Sequence, residues 1–411
     1  MKNSISLFKL LVLIVVTATS VEAKFRPVIV AMHVHSTYSE NGMMTLEQIA
    51  EAAHKDGIRV VILSDHDLQR WTYGIGPLKN FIKRTIDKKS VLKLGPQEYF
   101  DHIERINRQH PDVLLIGGVE SAPFYYWTGN FFKGTLTLHN WHKHMLVSGL
   151  AKPSDYAHLP LVGNKSAFDQ YHGDQGDAPY QAVIDYVNKT APETGLVFWA
   201  HPESPNFAQS QHIGSVAIQT PPYPASLEKT FNYTGFAYFQ EGDKTVGVPG
   251  GIWDKVLEEY CHGNRQKPVW AISELDYRAE GYLNTWFDSF TNILMMNEQD
   301  TLTKEQVIDH LRNGQFYCSA KAHDHAGLIL DDYGLRNNML FVRAHAQDNS
   351  AQPIKVTIIS NGSIVGKFDS ETPSDIRFRA PGQAGKKSYY RVEITSTLYG
   401  KIITNPVFCN R

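Results

Sequence analysis

The sequence predicts an α/β protein with a mainly parallel sheet or barrel, followed by a small β-sandwich. Three observations lead there. From Lys24 to about Ala326 short apolar runs alternate with helical stretches. Beyond Leu328 the texture changes to β segments separated by turns. The length, 411 residues, suits one large domain with an appendage. The expected division is a leader over residues 1–23, a main domain over 24–326 and a β-sandwich domain over 327–411.

The leader, "MKNSISLFKLLVLIVVTATSVEA", carries Lys2 and Lys9 ahead of an apolar run that ends in a small-residue pattern at Val21 and Ala23. It reads as a secretory signal peptide. Its apolar centre, Leu10 to Ala18, is too short to span a bilayer. The expectation is a secreted or periplasmic protein without a membrane anchor once the signal is removed.

Eight strands are expected in the main domain: "PVIVAMHV", "RVVIL", "VLLIGGV", "HMLVSGL", "LVFWA", "GFAYF", "PVWAI" and "FTNILMM". Two helices carry start and stop signals. "TLEQIAEAAHKDG" opens with Thr45 and Gln48 at capping-box spacing and closes at Gly57, and "TKEQVIDHLRNG" repeats the device with Thr303, Gln306 and Gly314. Three polar stretches, 69–95, 151–179 and 203–235, exceed the usual loop length and suit the walls of a site. In the tail, "LFVRAHA", "IKVTIIS", "DIRFRA", "YYRVEIT" and "KIITNPVF" read as strands, with Asn361-Gly362 as a hairpin turn.

Hydrophobic residues at 42% and charged residues at 20% allow a sizeable core. A formal net charge of −2 predicts no nucleic-acid partner, since phosphate binders carry a basic excess or patch. Cys261, Cys318 and Cys409 are too few and too scattered for a disulfide framework or a cysteine metal site, although Cys318 and Cys409 could pair in an oxidising compartment.

The chemistry lies where the apolar runs end. "AMHVHS" presents His33 and His35, which strand alternation would point to one side. That suits a shared metal ion, and equally two partly exposed polar residues at a strand end. "VVILSDHD" ends in Asp65 and His66, "LLIGGVES" in Glu120, "LVFWAHPE" in His201 and "VWAISELD" in Asp276, while "LHNWHKHMLV" offers His139, His142 and His144. Each residue alone has a plain structural reading. Their recurrence at strand ends favours a site for Zn, Mn or Fe, which accept these ligands.

With those motifs in order, the chain resembles the PHP (polymerase and histidinol phosphatase) superfamily of metal-dependent hydrolases. The likeness runs through His33-x-His35, Ser64-Asp65-His66, Gly118-Val119-Glu120, His144 before Met145, Ala200-His201-Pro202 and Leu275-Asp276, over about Val28 to Ala326. "NTWFDSFTNILMMNEQDTLTKEQVIDHLRNGQFYCSA" and "YYRVEITSTLYGKIITNPVF" resemble the secreted branch related to carbaryl hydrolase, which carries a C-terminal β domain. The resemblance implies a distorted (β/α)7 barrel holding two or three ions. It assigns His33, His35, Glu120 and Asp276 to a first ion, with Glu120 bridging to a second held by His144 and His201. His142 is the reserve ligand, and His139 points to the other face.

Family members with three ions use histidines where this chain has Glu40-Asn41 and Arg278. Arginine cannot ligate a cation, so two divalent ions are expected, with Arg278 binding an anionic substrate. The other reading makes Arg278 a surface residue or a partner of Glu274 or Glu280. Asp65 is expected to orient a ligand histidine, and His66 to act as general acid or substrate binder. The implied activity is phosphoester hydrolysis of a small molecule by a metal-bridging hydroxide. Hydrolysis of a carbamate, ester or amide, and a non-catalytic metal-containing binding protein, are the alternatives.

Overall fold

The computed structural model describes residues 25–162, 170–205, 211–239, 241–322, 325–380 and 386–409, so the expected leader lies outside the described part. Every apolar run expected as a main-domain strand forms one. The first, Phe25–Val34, pairs antiparallel with Phe290–Asn297 and parallel with Val60–Leu63, which pairs parallel with Leu114–Ile116. Val60–Leu63 is buried along its whole length, as an unbroken apolar run requires. A second sheet has the order Trp270–Ile272, Gly235–Ala237, Leu196–Trp199, Met145–Ser148, Gly118–Ser121, Asp65–His66.

The expected (β/α)7 barrel is not what forms. The strands fall into several mixed sheets with no closed barrel, and the described residues hold eight α-helices. Strand takes 36% and helix 22%, whereas one long helix per strand would reverse that ratio. The cause is local. Met145–Ser148 runs antiparallel to both of its neighbours, Gly118–Ser121 and Leu196–Trp199, and antiparallel neighbours need no crossover helix. One expected strand also breaks, at Gly117, and its second half joins the second sheet, as do Asp65 and His66 just past the expected strand that ends at Leu63.

The helices obey their signals. Leu46–Lys55 has a complete Thr45–Gln48 capping box. Lys304–Asn313 has the Thr303 half of one and stops at Gly314 in the left-handed conformation (φ 69°). Two of the long polar stretches fold into a cap. The hairpin Arg70–Gly74/Lys83–Asp87 and a four-stranded sheet (Gln211–Ile213, Val216–Gln219, Thr137–His139, Tyr126–Thr128) share an apolar cluster that includes Trp71, Trp127, Leu138 and Ile218.

Past residue 326 the tail strands form as expected. Asn361 and Gly362 both take positive φ (47° and 68°), which a two-residue hairpin turn of type I′ demands. Two further strands, Leu328–Arg336 and Ser363–Glu371, lacked a clear sequence signal. The tail continues the first sheet: Gly400–Thr404 pairs with Phe316–Ala320, which pairs with Phe290–Asn297. A second core joins Ile293 and Tyr317 to Leu330, Val342, Ile358 and Val392. The described cysteines are free, with the Cys318 Sγ–H donating to the Ala271 carbonyl at 3.2 Å. No described helix is long and apolar enough to cross a membrane.

Candidate metal centre

The strand ends meet because backbone bonds tie the two sheets together. Leu275 N donates to Met32 O, Tyr277 N to His33 O, and His35 N to Tyr277 O, which brings Asp276 against His33 and His35. The alternation expected of His-x-His is not how the two rings converge. The register slips between Met32 and Val34, so His33 is a bulged residue with φ 65°. His201 and Asp276 also sit at positive φ, 27° and 44°. Such backbone is costly for residues other than glycine and concentrates at functional sites.

Glu120 is the hub. Its Oε1 lies 2.6 Å from His144 Nδ1 and 3.2 Å from both His33 Nε2 and His201 Nε2. Its Oε2 lies 3.4 Å from His35 Nε2 and 3.3 Å from His66 Nδ1. Asp276 Oδ1 is 3.1 Å from His35 Nε2 and 3.8 Å from His33 Nε2. All six residues expected as ligands, and His66, therefore share one cluster. Three ligand sets overlap within it: His33, His35 and Asp276; His35, His66 and Glu120; Glu120, His144 and His201.

The protons of four rings can be assigned from their outer partners. His33 Nδ1–H donates to Glu274 Oε2 at 2.9 Å. His35 Nδ1–H donates to Ser39 Oγ at 3.3 Å, whose own proton goes to Asp65 Oδ1 at 2.6 Å. His144 Nε2–H donates to Trp141 O at 3.0 Å. His201 Nδ1–H donates to Tyr223 Oη at 3.1 Å, and that hydroxyl donates to Ala200 O. Each ring then turns a lone pair inward. The inward nitrogens of His33 and His35 stand 3.2 Å apart, as do those of His144 and His201. Lone pairs at that distance, facing carboxylate oxygens, repel unless positive charge lies among them.

The buried Asp276 Oδ1 faces His35 Nε2 at 3.1 Å and is left without a donor when that nitrogen carries no proton. The surrounding acids draw positive charge to these rings, as protons where no cation is bound. Burial pushes His33 down, but Glu120, Glu274 and Asp276 outweigh it and hold it well above the ordinary imidazole range. His201, likewise pushed down by burial, is carried up to about 9 by Glu120, Glu274 and Glu241. Buried His, Asp and Glu groups of this kind could hold a metal ion.

The remaining expected residues have distinct places. Asp65 is fully buried and accepts from Ser36 N (2.8 Å), Ser36 Oγ (2.7 Å) and Ser39 Oγ, so it reaches His35 through Ser39. His66 Nε2 lies 3.3 Å from Asn41 Nδ2, which leaves its Nδ1–H facing Glu120, opposite in sense to the other four rings. Arg278 pairs with Asp276 Oδ2 at 3.0 Å, rather than with Glu274 or Glu280, and lies 5.6 Å from the Tyr282 ring. His142 lines the cavity with its ring 5.8 Å from that of His144. His139 is elsewhere, bonded to Thr128 and stacked on Tyr126.

Sequence reasoning missed Glu274 and Tyr223 as supports. Glu274 also accepts from His201 N at 2.7 Å, so one carboxylate fixes two ligand candidates. Its signal was present in Glu274-x-Asp276, the same i, i+2 spacing as the histidine pair. Tyr223 comes from the 203–235 stretch and had no signal. Over the cluster opens a cavity of about 460 Å³ whose walls include Asn41, His66, Lys88, Glu241, Asp276 and Arg278. No protein-family model and no curated protein matches the chain.

Proposed function

We propose that the protein is a metal-dependent hydrolase of small anionic esters, phosphoesters foremost, with two divalent ions held around Glu120. The carrying observation is the set of four imidazoles whose outward nitrogens each face a hydrogen-bond acceptor while their other nitrogens converge on Glu120 and Asp276 Oδ1. His33, His35, Glu120 and Asp276 suit one ion, and Glu120, His144 and His201 a second. The sequence of motifs, which resembles that of PHP hydrolases, supports the same division.

The chemistry that Zn, Mn or Fe would supply if held there is a water of lowered pKa and polarisation of ester oxygens. The chain's own groups do the rest. Glu274, Ser39, Tyr223 and the Trp141 carbonyl hold the rings in the metal-binding tautomer. Arg278 and Lys88 bring positive charge to the cavity wall, Arg278 being steered by Asp276, and suit the charged oxygens of a phosphate. His66 stands on the cavity wall with its N–H towards Glu120, where it binds the substrate or passes a proton to the leaving group.

The test pairs the metal content of the protein, purified without chelator, with turnover of aryl phosphates and aryl carbamates. Metal bound together with phosphate hydrolysis, both lost on chelation, supports the reading. Carbamate turnover alone would move the chemistry to acyl transfer. Bound metal without turnover of either would leave a binding protein.

A further inference from the structure

Beside the metal cavity lies a second one, of different character. It measures about 200 Å³ and sits between the hairpin Arg70–Gly74/Lys83–Asp87 and the four-stranded sheet. Trp71 and Ile213 line both cavities, so the two adjoin at these side chains. The rest of the second cavity is mainly apolar, with Tyr73, Ile86, Phe131 and Leu136 facing it. Lys83 and Arg84 supply the only full charges among its described walls.

Burial of apolar surface would normally close such a space, yet Phe131 and Ile82 at its rim remain 46% and 49% exposed. The second cavity is not needed to position any ligand candidate: none of His33, His35, Glu120, His144, His201 or Asp276 lines it. An apolar cavity of ~150 Å³ accepts one benzene ring, so this one has room for a single aromatic ring or a short alkyl chain.

We infer that this cavity is the subsite for an apolar group of the substrate, so that the preferred substrate joins an anionic head to an aryl or short alkyl group. The inference rests on the proposed hydrolase reading, since the head is taken to sit at the metal cavity with Arg278 and Lys88. The apolar group then reaches past Trp71 and Ile213 into the second cavity.

The test is calorimetric binding to the zinc-supplemented full chain of two probe series. One is methyl-, propyl-, butyl- and phenylphosphonate; the other is 4-alkylphenols, which lack the charged head. Each buried methylene should tighten phosphonate binding about fourfold. In Phe131→Ser, and separately in Ile82→Ser on another part of the rim, the ratio of butyl- to methylphosphonate affinity should fall towards one. Both side chains are half-exposed, so the variants should fold. Phosphonates that bind with no dependence on chain length would overturn the subsite and leave the metal reading standing. A chain-length slope seen with the phenols alone, and lost in the variants, would support the subsite and overturn the phosphoester reading. Binding of neither series would overturn both.

Discussion

Four histidines aim their lone pairs inward because four different acceptors take their protons, and Glu274 is the most demanding of these. It accepts from His33 Nδ1 and from His201 N at once. In Glu274→Gln one of the two amide groups must face a donor with an NH₂, which turns the His33 proton inward and removes a ligand. Metal affinity should fall by about 10- to 100-fold, read by competition with a chelator, with the fold retained. His66→Ala separates two roles: turnover lost with metal content kept makes it an acid or substrate binder, whereas metal lost from the variant makes it a ligand. Asp65→Ala leaves the Ser36 and Ser39 donors buried and unpaired, and should lower stability by about 1–3 kcal/mol per donor. At this scale the residues that touch the centre were legible, because charged groups ending apolar runs stand out. Their supports were not: Tyr223 and the Trp141 carbonyl come from the chain between strands, where nothing in the sequence marks a hydrogen-bond acceptor.

The elements were legible as runs, but not as an architecture. Apolar strings such as "VVIL" declare a buried strand whatever its neighbours are, so their existence was readable and their direction was not. The antiparallel placement of Met145–Ser148 and the break at Gly117 separate the mixed sheets from the expected barrel. His33 teaches the same lesson in miniature, since a bulge and not simple alternation brings it to His35. Close approach of strands also has a residue-level signature. A Cβ on Gly118 would stand 2.8 Å from both Leu63 O, at the end of the strand Val60–Leu63, and Val147 O, in the strand paired with the one that carries Glu120. Gly118→Val should therefore displace Glu120, and the expected outcome is loss of bound metal along with a lower melting temperature. Unchanged metal content in that variant would contradict the role given to this strand.

Across the whole molecule the tail is tied to the main part by paired strands and by a buried ion pair. Arg391, fully buried in the strand Ser388–Ser396, makes two 2.8 Å bonds to the Asp254 carboxylate on the helix Ile252–Cys261 and lies over the Trp253 ring. Arg391→Ala would strand a buried carboxylate, so a loss of about 3–5 kcal/mol is expected in denaturant unfolding. Truncation after residue 326 would expose Phe316–Ala320 as a sheet edge, and poor solubility is expected on expression. Metal affinity should weaken as pH falls, because protons compete for the inward imidazole nitrogens. The proposed chemistry depends on one claim, that metal ions are held around Glu120. The most direct test is elemental analysis of protein purified without chelator beside the His33→Ala/His35→Ala double variant. About two transition-metal ions per chain are expected, with at least one lost in the variant. No bound metal, and none taken up after adding Zn or Mn, would contradict it.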